Sequence, residues 1–415
     1  MESMSVEIPD DSVLLQRAEV ARYGDAVAEA GADGFHRGGA YHLSSVLPAL
    51  TSALGAPVST AIHHDPKVLQ ETLGIPDASS AIVVLVDGLG FWNLNKRLGH
   101  VPYMRSLMED SLNQRPISTC FPSTTVAAMG TFGTGTCPGL TGMTGYTQIN
   151  PETRELSQLI QFKHAPDPHD LQRQDTIFES LTRQGVRATS SGMPKFAASP
   201  LTEAALRGSR YVGHDDAQAR VMAACTAARQ PGLTYLYIRD ADKVGHNYGW
   251  DSDAWIGAFE KIDAQLALLH RCAPKGTLIV IVADHGMLSA SPHDRCDIAG
   301  HESLSEDVAL VGGEPRAPML YSTDQADAAD IARRWHTALG EDAMCWTRDE
   351  AVEQGLFGQV EERVEAMIGD VIVSAAGTAT IVDSRVQSDK ATRLPSVHGS
   401  LTKMEMDIPC LIDMA

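Results

Sequence analysis

The chain has 415 residues, with 33 Lys and Arg against 53 Asp and Glu, giving a formal net charge of -20. A length of this order buries a large core and implies one large α/β domain with an insertion, or two domains. The acidic balance argues against a broad basic face for nucleic-acid polymers, while leaving room for a small phosphate ester where bound metal ions reverse the local field.

Seven cysteines, an odd number in so long a chain, do not form a disulfide scaffold and read as mostly buried thiols in a reducing compartment. The N-terminal stretch MESMSVEIPDDSVLL carries acidic residues where a signal peptide would carry basic ones. No run approaches the ~20 consecutive apolar residues of a membrane span. The expectation is a cytoplasmic protein with no membrane segment.

Residues 1–38 show little periodicity. Leu43, Leu47, Leu50 and Leu54 then recur at helical spacing, closed by Gly55 and Pro57, and Pro48 places the regular start of that helix at itself. AIVVLV (81–86) is an unbroken apolar run ending in Asp87-Gly88. LTYLYI (233–238) ends in Arg239-Asp240, and LIVIVA (278–283) ends in Asp284-His285-Gly286. Short pure runs bounded by polar residues are expected of parallel strands buried on both faces. Helices are expected at 211–229 and 253–271.

Between 290 and 390 the pattern changes to one helix, 323–338, and scattered short strands such as VALVG (308–312) and VIVSAA (371–376). The expected division is a main domain over 1–289, an inserted or capping subdomain over 290–390, and a return to the main domain over 391–415. The fold class is α/β, with a mostly parallel central sheet flanked by helices and a smaller inserted subdomain.

Acidic residues follow each of the three pure strands, and ligands of open α/β sheets gather outside that edge. Asp242 and His246 stand four apart in DADKVGH, Asp284 and His285 adjoin, Asp87 ends its own strand, and His398 sits in Val-His-Gly-Ser. Three Asp and three His, without cysteines at matching spacing, suit catalytic zinc, with manganese or iron as alternatives. His293 and His301 lie in a polar loop and stay open as candidates. The stretch CFPSTTVAAMGTFGTG (120–135) offers Ser123, Thr124 and Thr125 as hydroxyls among small residues, and composition does not choose among them. The small residues after Thr125 suit the tight start of a helix, whose N-terminus favours an anion.

In that order VDGLG, FPSTT, DADKVGH, ADHGM and VHGSLT resemble the nucleotide pyrophosphatase/phosphodiesterase group of the alkaline phosphatase superfamily. The resemblance implies an alkaline phosphatase-like sheet, two zinc ions and a threonine nucleophile. It assigns one metal to Asp242, His246 and His398. The other falls to Asp87, Asp284 and His285, with the nucleophile as a further ligand. Counted from Pro122, the family pattern selects Thr125.

The implied activity is two-metal hydrolysis of small phosphate diesters or nucleotide pyrophosphates through a phosphothreonine intermediate. A phosphomonoesterase of alkaline phosphatase type and a non-catalytic α/β scaffold are the alternatives. Two departures stand out: Val126-Ala127-Ala128 replaces the family's Phe-Pro-Asn, and Tyr146 stands where extracellular members place an Asn against a phosphoryl oxygen. Arg239 and Arg316 are the candidate phosphate clamps, and a missing clamp favours diesters. Tyr146, Phe91 and Trp92 are the candidate substrate contacts, with Tyr248 and Trp250 at the opposite side of the mouth.

Overall fold

The computed structural model describes residues 6–18, 23–27 and 29–415; the first five residues of the acidic N-terminal stretch lie outside them. Ten strands build the two larger sheets: β1 Ser80–Val86, β2 Arg187–Gly192, β3 Arg210–Gly213, β4 Gly232–Ile238, β5 Leu278–Val282, β6 Val308–Glu314, β7 Ala317–Ser322, β8 Ala343–Thr347, β9 Val371–Ala375 and β10 Cys410–Met414. The first sheet runs β10-β5-β1-β4-β2-β3. Its neighbours are parallel except β10, which lies antiparallel to β5 at one edge. This is the mostly parallel sheet expected. Every residue of β1 and β5 is buried, which is why these strands read as unbroken apolar runs.

The helices needed below are α1 Leu43–Ala53, α2 Thr125–Thr134, α3 Ala217–Ala227, α4 Asp240–Tyr248, α5 Asp253–Cys272 and α6 Ala328–Leu339. Three expectations change. The helix expected over 323–338 begins only at Ala328, where the Asp327 side chain caps it by accepting from the Ala329 amide. The helix expected over 211–229 begins only at Ala217, because Arg210–Gly213 pairs as an edge strand with Thr189–Gly192. The Asp216 side chain then caps α3 by accepting from the Ala219 amide. And α1 starts at Leu43, ahead of Pro48, with the His42 side chain accepting from the Ser44 amide. Proline in the sixth position forfeits one i to i−4 hydrogen bond, but every residue of α1 except Ser52 is buried, and that packing holds the turn.

The second sheet, β6-β7-β9-β8, is antiparallel throughout. Its strands read weakly in sequence because β6 is mostly half-buried and carries Gly312 and Gly313. Helix α6 covers one side, burying Ile331, Trp335 and Leu339. No helix among the described residues is long and apolar enough to cross a membrane.

Candidate active site

The register aligns Val86 with Ile238 and Leu85 with Val282, so β1, β4 and β5 end side by side. The residues following these ends meet there. Asp87 leaves β1, Asp284 and His285 leave β5, and α4 leaves β4 with Asp242 and His246 one turn apart. The close approach depends on Gly88, whose φ of 74° is left-handed and where a Cβ would stand 2.8 Å from Asp242 Cα. His398 arrives from the loop before β10, and α2 begins at Thr125 against the same edge.

Two groups of ligand atoms result: Asp242, His285 and His398, and Asp87, Asp284 and His285. His246 joins the first, its Nε2 lying 3.1 Å from Asp242 Oδ1 and 3.2 Å from His398 Nε2. His285 Nε2 stands 3.7 Å from Asp87 Oδ1 and 3.5 Å from Asp284 Oδ2. The structure thus brings together all six Asp and His singled out from sequence. His293 and His301 are exposed and outside the cluster.

The backbone around these groups orients them. His246 Nδ1 lies 2.8 Å from the Ser396 carbonyl, His398 Nδ1 2.8 Å from the Ser123 carbonyl and His285 Nδ1 3.0 Å from the Gly286 carbonyl. A carbonyl accepts only, so each imidazole carries its proton on Nδ1 and turns a lone pair on Nε2 inward. Asp284 Oδ1 accepts from the amides of Gly88 and His285 at 2.9 and 3.0 Å. Asp284 Oδ2 and Asp242 Oδ1 are buried and accept no hydrogen bond.

Burial, with the Asp284 and Asp242 carboxylates beside it, pushes the Asp87 carboxyl well above its usual range. Oxygens left bare, imidazole lone pairs turned inward and carboxylates pressed together form an arrangement that a cation would complete. The residues therefore fit a pair of divalent metal ions.

Of the three hydroxyls left open by composition, one reaches this cluster. Thr125 Oγ1 donates to Asp87 Oδ1 at 3.5 Å and lies 3.3 Å from His285 Nε2. Ser123 is fully buried, its Oγ donating to the Ser400 carbonyl and accepting from the Gly399 amide. Thr124 is the N-cap residue of α2 and makes no side-chain cap bond, so the first amides of that helix face the edge without a capping side chain.

A cavity of about 580 Å³ opens from Thr125, Asp242, His246 and His398 toward the second sheet. Tyr146 lines it, with its hydroxyl accepting from Gln158 Nε2 at 2.6 Å. Phe91 and Trp92 do not line it. Both are fully buried, packed edge to face, and Trp92 Nε1 donates to Asp407 Oδ2 at 2.7 Å. They are core, which corrects their reading as substrate contacts. Trp250 packs on Trp255, and Tyr248 is exposed away from the cavity. Arg316 is also no clamp: it is fully buried and paired with Glu405.

Two side chains at the site were not singled out from sequence. The Tyr237 hydroxyl donates to Asp87 Oδ2 in a short hydrogen bond. Glu314, at the end of β6, lines the cavity, and its Oε1 accepts from the Tyr146 amide at 2.6 Å. Burial pushes its carboxyl up to about 7, against the opposing pull of the Tyr146 amide and the Thr124 hydroxyl. Tyr237 could have been found from its place next to the end of a pure strand. Nothing local marks Glu314.

The model of the type I phosphodiesterase / nucleotide pyrophosphatase family matches residues 81–400, a span holding every member of the cluster. The chain belongs to this family. Among solved structures, murine ectonucleotide pyrophosphatase / phosphodiesterase 5 is similar at 16% identity, covering 80% of this chain and 87% of that one, with a TM-score of 0.63. An inactive threonine-to-alanine form of the murine protein in complex with AMP gives 16% and 0.64 over the same shares. Phosphonoacetate hydrolase from Sinorhizobium meliloti, in complex with phosphonoacetate, is similar at 21% identity, covering 81% of this chain and 90% of that one, with a TM-score of 0.63. No curated protein matches the chain in sequence. Membership of the family makes this chain a phosphodiesterase/pyrophosphatase-type hydrolase of the alkaline phosphatase superfamily.

Proposed function

We propose that this hydrolase cleaves small phosphate diesters or nucleotide pyrophosphates through a phosphothreonine on Thr125. The observation that carries the reading is Thr125 itself, a hydroxyl at the first residue of an uncapped helix and within 3.5 Å of both Asp87 and His285. Asp242, His246 and His398 would hold one divalent ion, and Asp87, Asp284 and His285 the other, with Thr125 Oγ1 as a further ligand. Zinc suits this nitrogen and oxygen set, with manganese or iron as substitutes. When bound, the two ions supply Lewis acidity to the phosphoryl oxygens and favour the ionised nucleophile.

Thr125 Oγ1 forms the new bond to phosphorus as the ester bond to the leaving oxygen breaks. Water then attacks the phosphothreonine from the side of Asp242, His246 and His398, and the Thr125 hydroxyl is restored. The first amides of α2 point at the oxygens where charge develops. Tyr146, on the cavity wall, is the proposed substrate contact. The AMP held by the murine relative supports a nucleotide-like substrate. Residues 290–390, proposed as a subdomain between 1–289 and 391–415, supply much of the cavity wall. Cytoplasmic location is proposed from cysteine usage alone.

Hydrolysis of p-nitrophenyl phosphate, bis-p-nitrophenyl phosphate and the p-nitrophenyl ester of thymidine monophosphate by zinc-loaded wild type and Thr125→Ala tests this. The expected result is preference for a diester and loss of at least about 10³-fold in the variant. Full activity of Thr125→Ala would remove Thr125 as the nucleophile.

A further inference from the structure

An acid in addition to the three metal-binding aspartates stands at the phosphoryl end of the cavity, where an esterase acting on dianions would place a cation. Glu314 is 6% exposed, lodged between the Tyr146 amide and the Thr124 hydroxyl at the start of α2. Its approach is built into the fold. Gly399, beside His398, has a φ of 132°, and a Cβ there would stand 2.9 Å from Glu314 Cβ and Cγ. A side chain at 399 would drive Glu314 away from the site, so the glycine keeps the acid against it.

Among the described residues, no lysine or arginine pairs with Glu314. Among the described residues no arginine lines the cavity, and the one lysine that does, Lys390, donates to Asn247 Oδ1. Arg316, two residues after Glu314, turns instead into the interior to pair with Glu405. Another cavity acid beyond the cluster, Asp383, has both oxygens held by Arg385, whereas Glu314 forms no ion pair with a lysine or arginine among the described residues. Beyond the acid, the walls turn aliphatic at Leu156, Ile160, Val311, Pro318 and Leu394.

Resting on the hydrolase reading above, we propose that Glu314 is a specificity-determining residue that selects phosphate diesters over monoesters. A monoester brings a second ionised oxygen to phosphorus, and its repulsion by the Glu314 carboxylate grows as that oxygen nears the start of α2. A diester carries an alkoxy or aryloxy group there instead. That group has no charge to repel and continues into the aliphatic walls.

The test compares kcat/KM for p-nitrophenyl phosphate and methyl p-nitrophenyl phosphate in zinc-loaded wild type and Glu314→Gln at about pH 8.5, where the carboxyl that burial raises to about 7 is ionised. Glutamine keeps the length of the side chain and an oxygen acceptor for the Tyr146 amide while removing the charge. The expected result is a rise of about tenfold or more in the monoester-to-diester ratio, arising from the monoester. A purely structural role would lower both rates together and leave the ratio unchanged, which overturns the inference. A wild type that prefers the monoester overturns it as well. No turnover of either ester by wild type would overturn the hydrolase reading itself, and this inference with it.

Discussion

At the scale of single residues, the site is organised by hydrogen bonds that face away from it. Three imidazoles place Nδ1 against backbone carbonyls, so the inward nitrogens are fixed as lone-pair donors before any ion arrives. Tyr237 plays the corresponding part for Asp87. Its hydroxyl occupies Oδ2 and leaves Oδ1 directed toward Thr125 and His285. Removing such an outer partner typically weakens a metal site about 10–100-fold. Tyr237→Phe is therefore expected to lower zinc affinity by about tenfold, read by calorimetric titration of the metal-free protein. The fold should hold, because the ring still packs against Tyr235 and Phe196. Affinity equal to wild type would show that Asp87 needs no help from Tyr237.

At the scale of elements, a pair of buried histidines that the site does not use, His42 and His63, meets at the start of α1. Ser44 Oγ lies 2.8 Å from His42 Nδ1 and 2.8 Å from His63 Nε2, and both rings are fully buried. Burial, with the neighbouring imidazole, lowers His42 to about 3. Burial also lowers His63 to about 4, against the opposing pull of Asp25. Unfolding returns each group to an ordinary value near 6.5. Between the two values the unfolded chain binds the protons. The stability contributed is thus complete above about pH 6.5 and falls as pH drops toward the folded values.

Linkage gives a loss of about 2 kcal/mol per histidine between pH 7 and 5. Urea unfolding at the two pH values should show it, and His63→Asn should flatten the slope by roughly one histidine's share. An unchanged slope would place the acid sensitivity elsewhere. These elements also show what a sequence can disclose. The strands β1, β4 and β5 were legible because burial on both faces leaves an unbroken apolar run, and their ligands were legible because they follow directly on the strand ends. RATSSG in β2 is buried apart from Arg187, yet polar, so no periodicity marks it. Pro48 reads as a helix start, but the packing of α1 carries the helix through it. Glu314 was hidden for a different reason: it meets the site only through the pairing of β6 with β7 and the turn at Gly399.

At the scale of the whole molecule, the second sheet must hold its position for Glu314 and the cavity wall to bear on the cluster of Asp and His side chains. The join is Arg316 with Glu405, both fully buried, with Nε and an Nη reaching Oε1 and Oε2 at 3.1 and 2.8 Å. Each end is tied further. Arg316 also donates to the Ala379 carbonyl, while Glu405 accepts from the Ser400 amide and the Thr402 hydroxyl. Ser400 stands two residues from His398, so the pair joins the sheet to a proposed metal ligand as well as to the core. Breaking a buried pair from one side leaves an uncompensated charge and costs about 3–5 kcal/mol. Glu405→Gln is accordingly expected to lower stability by about that amount in urea unfolding, and to reduce zinc affinity through the loosened His398 loop. Replacing both partners, as Arg316→Met with Glu405→Leu, removes the stranded charge and should recover much of the stability. The lost Ser400 and Thr402 contacts remain lost in the double variant, so its zinc affinity should stay low. Recovery of both properties would reduce the pair to a packing element, and recovery of stability alone would establish it as the link between the second sheet and the proposed metal ligands.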